Sequence, residues 1–351
     1  MKEVQIADGY AQPDELPTIE QAQILEASGF RDRTDRLIAP LLVRDGHTLP
    51  MDRFLRERAI DRGWRANAAE ESTLSSGRFI GTTNHAEGYL YSPRLHNRWR
   101  VYEHSLGDTG SFPKGSAWRM RSALGTSFNY ARQSVAVEVG DDEGTAGRII
   151  AAALDAHLTF GDHWTFQAKA DTDSLDDVQL IAQLGGDRAR SADLIMGWRS
   201  SDFRSASIDV QRQLYSDGNQ RSAITASWDQ RAWTGLRVQV NLAPEVYASV
   251  NSKDENRIYF NPKSDVSGGV NTTVHWLTWR RYERSFRQDF TFLAAPSWQQ
   301  NYGTGAVLVM TYVQQWELGY GRALQGHVTW NSQPYDGSTE PYTALGVALT
   351  W

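Results

Sequence analysis

From Gly63 to the end of the chain, apolar and polar residues alternate. In the closing stretch Leu345, Val347, Leu349 and Trp351 are apolar, and Gly346, Ala348 and Thr350 between them are small or polar. A period of two places the first set on one face of a β-strand and the second on the other. The pattern recurs in Val135/Val137/Val139, Ala152/Leu154/Leu158, Trp164/Phe166/Ala168, Ala206/Ile208/Val210, Ile224/Ala226/Trp228 and Val238/Val240/Leu242. Between Gly63 and Trp351 the alternation predicts about sixteen strands, each of roughly the length that crosses a bilayer when tilted. An apolar face that runs to a terminal Trp suits the strand that closes a barrel and faces lipid, and an ordinary sheet-edge strand is the competing reading.

Residues 1–62 follow a different rule. Met51, Phe54, Leu55 and Ala59 recur at helical spacing, Pro17-Thr18 followed by Gln21 resembles a capping box, Gly29 stops a helix and Pro40 breaks the apolar run Leu37 to Val43. The segment predicts two or three short helices, with residues 63–351 as a separate barrel domain. It is too short to bury much by itself, and fits the end of a larger helical domain lying upstream or a linker packed at a barrel mouth. No leader precedes Lys2-Glu3-Val4, so an exported protein with this start has lost an upstream segment.

The connections carry independent information, because outer-membrane barrels alternate short periplasmic turns with longer outer loops. Counting back from the C-terminus, the outer loops are expected at Tyr335 to Pro341, Tyr302 to Gly305, Ser252 to Val266, Leu214 to Gln220, Thr172 to Gly186, Asp141 to Ala146, Gly107 to Gly115 and Thr73 to Ile80. Trp99, Trp164, Trp198, Trp228, Trp233, Trp316 and Trp351 then fall near the opposite strand ends, as an aromatic girdle would.

Composition changes the picture only by exclusion. The mean hydropathy of −0.53 and the absence of a long apolar run exclude membrane helices and leave a barrel open, because its inward residues are polar. The net charge of −6 argues against nucleic acid. Zero cysteines suits the outer membrane and many other compartments alike.

The inward positions read as a wet, acid-rich lumen. Glu138, Asp155, Asp171, Asp209 and Asp229 point inward with His157, Thr165, Gln167, Ser207, Gln211, Thr225 and Gln239, tempered by Arg100 and Lys169. Asp141, Asp142, Glu143, Asp176, Asp177, Asp254, Glu255, Asp265 and Asp336 add acid to the loops. Any one such residue is adequately explained as solvating a pore; a bias over many strands is harder to dismiss. Gly-x-Ser-x-Gly, His-Glu-x-x-His, phosphate-loop and paired-Cys motifs are absent, and nothing calls for a metal or cofactor. Histidines scattered over different strands leave open a membrane-embedded hydrolase assembled across strands.

Several short motifs, in order, resemble a known family. They are Leu90-Tyr91-Ser92-Pro93 with Asn97-Arg98-Trp99-Arg100, Ser216-Asp217-Gly218-Asn219, Tyr259-Phe260-Asn261-Pro262 with Asp265, Trp276 through Arg280-Arg281-Tyr282-Glu283, and Pro334-Tyr335-Asp336-Gly337. Over residues 52–351 the chain resembles the outer-membrane exporters of poly-β-1,6-N-acetyl-D-glucosamine, the PgaA/HmsH type. The resemblance implies a sixteen-stranded barrel behind a periplasmic tetratricopeptide-repeat domain. It implies a passive, gated pore for a partly deacetylated amino-sugar polymer of the biofilm matrix. A periplasmic deacetylase is the implied partner through the upstream domain, and the barrel is expected to be monomeric. Tyr259, Phe260, Asn261 and Asp265, together with Asp217, Asn219, Tyr335 and Asp336, are the expected loop or gate residues. Aromatic faces suit sugar rings and carboxylates suit free ammonium groups, whereas Asn261-Pro262 and Asp336-Gly337 are also ordinary turn sequences. A general porin is the other class in view, distinguished by failing to depend on the polymer.

Overall fold

The computed structural model describes residues 18–77, 80–174, 178–253, 259–335 and 337–351. Among them three helices lead into sixteen strands. The helices are α1 (Thr18–Ala27), α2 (Arg31–Asp45) and α3 (Leu49–Arg62). The strands are β1 (Arg65–Ser75), β2 (Gly81–Tyr91), β3 (Trp99–Phe112), β4 (Gly115–Tyr130), β5 (Gln133–Gly144), β6 (Gly147–Phe160), β7 (Trp164–Asp171) and β8 (Ala189–Ser201). They continue with β9 (Arg204–Tyr215), β10 (Gln220–Thr234), β11 (Val238–Asn251), β12 (Ser264–Arg281), β13 (Arg284–Gln299), β14 (Gly303–Gly319), β15 (Arg322–Tyr335) and β16 (Ser338–Thr350).

Each strand pairs antiparallel with its neighbours in sequence, and β1 pairs with β16, so the sheet closes. At the seam Asn67 lies opposite Thr350 and Glu71 opposite Gly346. Ala66 and Trp351 exchange both backbone hydrogen bonds at 2.9 and 2.8 Å, so the terminal Trp is part of the closure. Closure satisfies every strand edge, which is the condition for crossing lipid with strands.

The alternation sorts the side chains as the sequence predicts. Val135, Val137 and Val139 are exposed on the outside of β5, and Trp99, Trp164, Trp228, Trp233, Trp316 and Trp351 are exposed towards the strand ends where the helices sit. Strands β1 to β3 depart from this rule. Glu70 sits opposite Ala86 and Val347, Asn84 opposite Ser72, and Glu103 opposite Leu124, so these polar side chains face outward.

Most of the outer connections are shorter than expected, the β7–β8 segment being longer, since β8 begins only at Ala189. The hairpin ladder runs to Phe112 and Gly115, and to Gly144 and Gly147, leaving only Pro113-Lys114 and Thr145-Ala146 as turns. Gly115 and Gly147 take positive φ (140° and 97°), which lets the chain reverse within two residues. Asp141, Asp142 and Glu143 therefore belong to β5, and Asp265 to β12, not to loops. Asp176, Asp177, Asp254, Glu255 and Asp336 lie outside the described residues.

Helix α2 also runs straight through Pro40, where a break was expected. Ile38 and Leu41, on either side of the proline, pack with Ala22, Met51 and Phe54 in one small core. That burial holds both halves of α2 in line despite the lost backbone hydrogen bond. Thr48 starts α3, its hydroxyl accepting from the Met51 amide at 3.4 Å, and Pro50 sits in the first turn, where its missing N–H costs nothing.

The helices dock on one rim of the barrel. Arg94 in the β2–β3 turn donates to both carboxylate oxygens of Asp61 (3.0 and 3.1 Å), and Asn97 and Arg98 donate to Asp32 (2.9 and 2.5 Å). Burial would raise the Asp61 pKa, but Arg94, with Arg31 and Arg100 nearby, brings it below the ordinary carboxylate value. Hydrogen bonds from Asn97 and then Arg98 likewise lower that of Asp32. Gly29, at φ 78°, lies so close to the Ala131 carbonyl in the β4–β5 turn that a Cβ there would collide with it. On the far side of the rim Arg56 donates to the Tyr320 hydroxyl at 3.0 Å.

Candidate functional site in the lumen

The lumen is organised by cations that the inward pattern of β3 and β4 delivers. Arg121, only 6 % exposed, donates to both oxygens of Asp142 on β5 (2.8 and 2.6 Å) and both oxygens of Asp171 at the end of β7 (2.8 and 3.2 Å). It also donates to the Asp173 carbonyl at 2.7 Å, and Glu138 stands 3.6 Å away. Arg119 pairs with Asp108 and donates to the Val178 carbonyl at 2.9 Å, while His85 Nδ1 lies 2.6 Å from Asp108. His104 stands between two acids, with Nδ1 3.0 Å from Glu138 and Nε2 3.1 Å from Glu87. Only as a double donor can that ring satisfy both.

These bonds hold an inward-folded connection. The β7–β8 segment, residues 172–188, carries a 3-10 turn at Leu180–Gly185, and Val178, Leu180, Ile181, Ala182 and Gln183 are buried inside the barrel. Wall glycines make room for it. A Cβ on Gly110 would stand 2.9 Å from Leu180, and one on Gly144 would stand 2.9 Å from the Gln183 side chain. Arg188 pairs with Asp173, whose pKa is nevertheless raised, burial outweighing the arginine. From the turn, Gln179 accepts a hydrogen bond from Tyr335 on β15 at 3.3 Å, so the segment reaches across to a distant strand.

A second set of contacts ties the far-end connections together. Tyr259 stacks on Tyr215 (centroids 4.3 Å apart, rings 5° from parallel), and its hydroxyl donates to Asp217 at 2.7 Å. Asp217 also accepts from the Asn219 amide at 2.7 Å, and Asn219 holds Asn251, Ser252 and Lys253. Phe260 packs on Tyr335 (4.7 Å) with Arg221 over its other side at 5.8 Å. Tyr259, Asn261 and Tyr335 are almost fully buried. These side chains thus shape the far end by holding one another, and an open-sided space of about 390 Å³ lies beneath them.

The residues expected in the lumen face it. Glu138 and Asp171 belong to the arginine network, Asp155 accepts from Gln167 at 3.0 Å, and Asp229 accepts from Asn241 at 3.1 Å. Asp209 is inward on β9, opposite Thr225, with Oδ1 buried and without a hydrogen-bond partner among the described residues. Lys169 lies across the ladder from Asp155 on one side and Asp193 on the other. Arg100 is spent on the Asp61 carbonyl of α3. Asp265 accepts from Ser249 on the inner wall, and Asp336 lies outside the described residues. Sequence reasoning missed Arg119, Arg121, His85, His104 and the tyrosines of β2 and β3. Their signal was available: carrying the alternation of β3 past Gly107, instead of ending it there, puts His104, Leu106 and Asp108 on one inward row.

A closed sixteen-stranded antiparallel barrel with an apolar outer band, a charged lumen and a connection folded into that lumen defines an outer-membrane β-barrel of the transport kind. Comparison with known proteins names the family. The model of the PgaA membrane beta barrel domain matches residues 65–351, and the chain belongs to that family. It is 26% identical over 263 residues, 72% of its length, to the poly-beta-1,6-N-acetyl-D-glucosamine export protein of Escherichia coli strain K12, and matches that of Escherichia coli O157:H7 equally. The chain spans about a third of the length of these relatives, 31% of each. A solved structure described as a bacterial polysaccharide outer membrane secretin superposes with a TM-score of 0.76 at 21% identity, covering 83% of this chain and 98% of that one, a likeness of fold.

Proposed function

We propose that the barrel is the outer-membrane conduit of an exporter for a partly deacetylated poly-β-1,6-N-acetyl-D-glucosamine, delivered from the periplasmic side where the helices dock. The observation that carries this reading is the set of inward acids, Asp155, Asp209 and Asp229, bound to amides or lacking a partner and so left free of arginine ion pairs, in a chain whose curated relatives are poly-beta-1,6-N-acetyl-D-glucosamine export proteins. A polymer with scattered ammonium groups meets these carboxylates in water. At about 7 Å each contributes only about 0.6 kcal/mol before screening, from 332/(εr) with ε near 80. Weak, repeated attraction suits conduction, because every step remains easy to leave. A monomeric barrel, joined through an upstream helical domain to a periplasmic deacetylase, completes the proposal.

The test separates guiding acids from structural ones. Asp155→Asn, Asp209→Asn and Asp229→Asn singly should change export of the polymer little, and the triple variant should lower it and make it less sensitive to salt. Polymer released by cells is measured with the amount of folded barrel held constant by its heat-modifiable gel band. Undiminished export by the triple variant removes the electrostatic guide.

A further inference from the structure

On the helix side of the inward-folded connection lies a cavity of about 610 Å³, large enough for two or three sugar rings. One wall of it is aromatic. Tyr91 and Tyr89 on β2 lie nearly parallel with centroids 5.9 Å apart, Tyr89 stacks on His104 at 4.1 Å, and Tyr102 closes the strip 5.3 Å from Tyr91. Register explains the run, since Tyr91 lies directly opposite Tyr102 and Tyr89 opposite His104. Gly125, facing Tyr102 from β4, makes room for that ring, which lies almost fully buried and tilted by 43° to Tyr91: a Cβ at Gly125 would overlap it. Acids line the same cavity from β5 to β8, namely Glu138, Asp155, Asp171 and Asp193, interleaved with Arg121, which holds Asp171, and Lys169, which lies between Asp155 and Asp193; Arg65, Arg94 and Arg100 line it towards the helices.

A strip of rings facing a wall of carboxylates interleaved with cations is an asymmetric slot. Pyranose rings present C–H faces that lie on aromatic rings, and their hydroxyl or ammonium edges need acceptors. A neutral or cationic sugar satisfies both walls together, whereas a simple cation leaves the rings unused and an apolar solute leaves the acids unsolvated. We infer that the Tyr91–Tyr102–Tyr89 strip is a saccharide-binding station of the lower lumen, holding one to three β-linked amino-sugar units ring-on-ring before they pass the inward-folded connection. The inference rests on the export reading above and adds where the chain pauses and which residues hold it. Its polarity is fixed by the walls: sugar faces towards β2 and β3, amino groups towards β6 to β8.

The station is tested by binding to the purified full chain in detergent. The probe is a hexamer of β-1,6-linked glucosamine, half of its units N-acetylated, measured by calorimetry beside a neutral maltohexaose. Tyr91→Ala should weaken binding of the hexamer about tenfold, on the scale of one lost ring contact, while Tyr91→Phe stays within about twofold. Tyr102, almost fully buried beside Tyr91, supports that ring, so Tyr102→Ala should also weaken binding, though less than Tyr91→Ala, and each variant is first shown to be folded by its heat-modifiable band. The Asp155→Asn, Asp209→Asn, Asp229→Asn triple variant, measured alongside, should lose affinity by a salt-dependent route. Unchanged binding by both alanine variants, with the triple variant still weakened, overturns the aromatic station and spares the export reading. No binding of the hexamer to the unaltered chain overturns both.

Discussion

Arg121 on β4 and Asp171 at the end of β7 are joined by two hydrogen bonds, at 2.8 and 3.2 Å, across fifty residues of sequence and the two intervening strands of wall. The bond anchors the root of the connection that folds into the lumen, and the same guanidinium holds Asp142 and the Asp173 carbonyl. Removing one partner of such a buried group strands charges that cannot reach water, at a cost of roughly 3–5 kcal/mol. Arg121→Leu should therefore release residues 172–188 from the wall. In planar bilayers its ion conductance should exceed that of the unaltered barrel, with the strands still folded; equal conductance would mean that the connection is held by its apolar contacts alone.

The outward and inward rows of β11 differ by one residue. Val240 lies outside, opposite Val274, and Gln239 lies inside, opposite His275. Val246→Arg, in the same outward row near the middle of β11, should reduce the folding free energy in lipid by roughly 2–4 kcal/mol, and Glu245→Arg beside it in the inward row should cost little. Denaturant titration of the two variants in vesicles checks this, and equal losses would refute the face assignment.

Docking of the helices is acid-sensitive in a stated direction. Asp61 and Asp32 have folded-state pKa values below their unfolded ones, so their stabilisation is present above about pH 4 and lost as pH falls through the depressed values. Between pH 7 and pH 5 the protection of α1 to α3 against hydrogen exchange should hold constant, and below about pH 4 it should fall before that of the strands. Loss of strand and helix protection together would show that the rim contacts are not an independent unit.

Most of the architecture was legible because a period of two is a geometric fact repeated over sixteen strands. Val135, Val137 and Val139 could face only one way, and once they face lipid Glu138 must face water. Where the pattern is weak, as in Gly107–Phe112 with its small and polar residues, strand and loop look alike, and there the expected loops were too long. The inward-folded connection was not legible at all. It depends on Gly110 and Gly144 leaving space on one wall and on Arg119 and Arg121 reaching backbone carbonyls at Val178 and Asp173. None of those contacts has a local sequence signature. The expected gate residues were found by motif and placed by packing: Tyr259 meets Tyr215 and Asp217, partners that no spacing rule connects to it.

The most direct test of the central claim, that polymer passes through this lumen, uses the absence of cysteine from the chain. Ser191→Cys places a single thiol inside the cavity, and Thr339→Cys places one on the outer surface near the far end of β16. Each is expressed in cells with any cysteine outside this sequence replaced and is coupled to a bulky maleimide, with labelling verified by mass, and polymer released by the cells is then measured. The account predicts that export falls in proportion to the fraction of Ser191→Cys barrels labelled and is untouched by labelling Thr339→Cys. Export at the unlabelled rate with most Ser191→Cys barrels modified would contradict it.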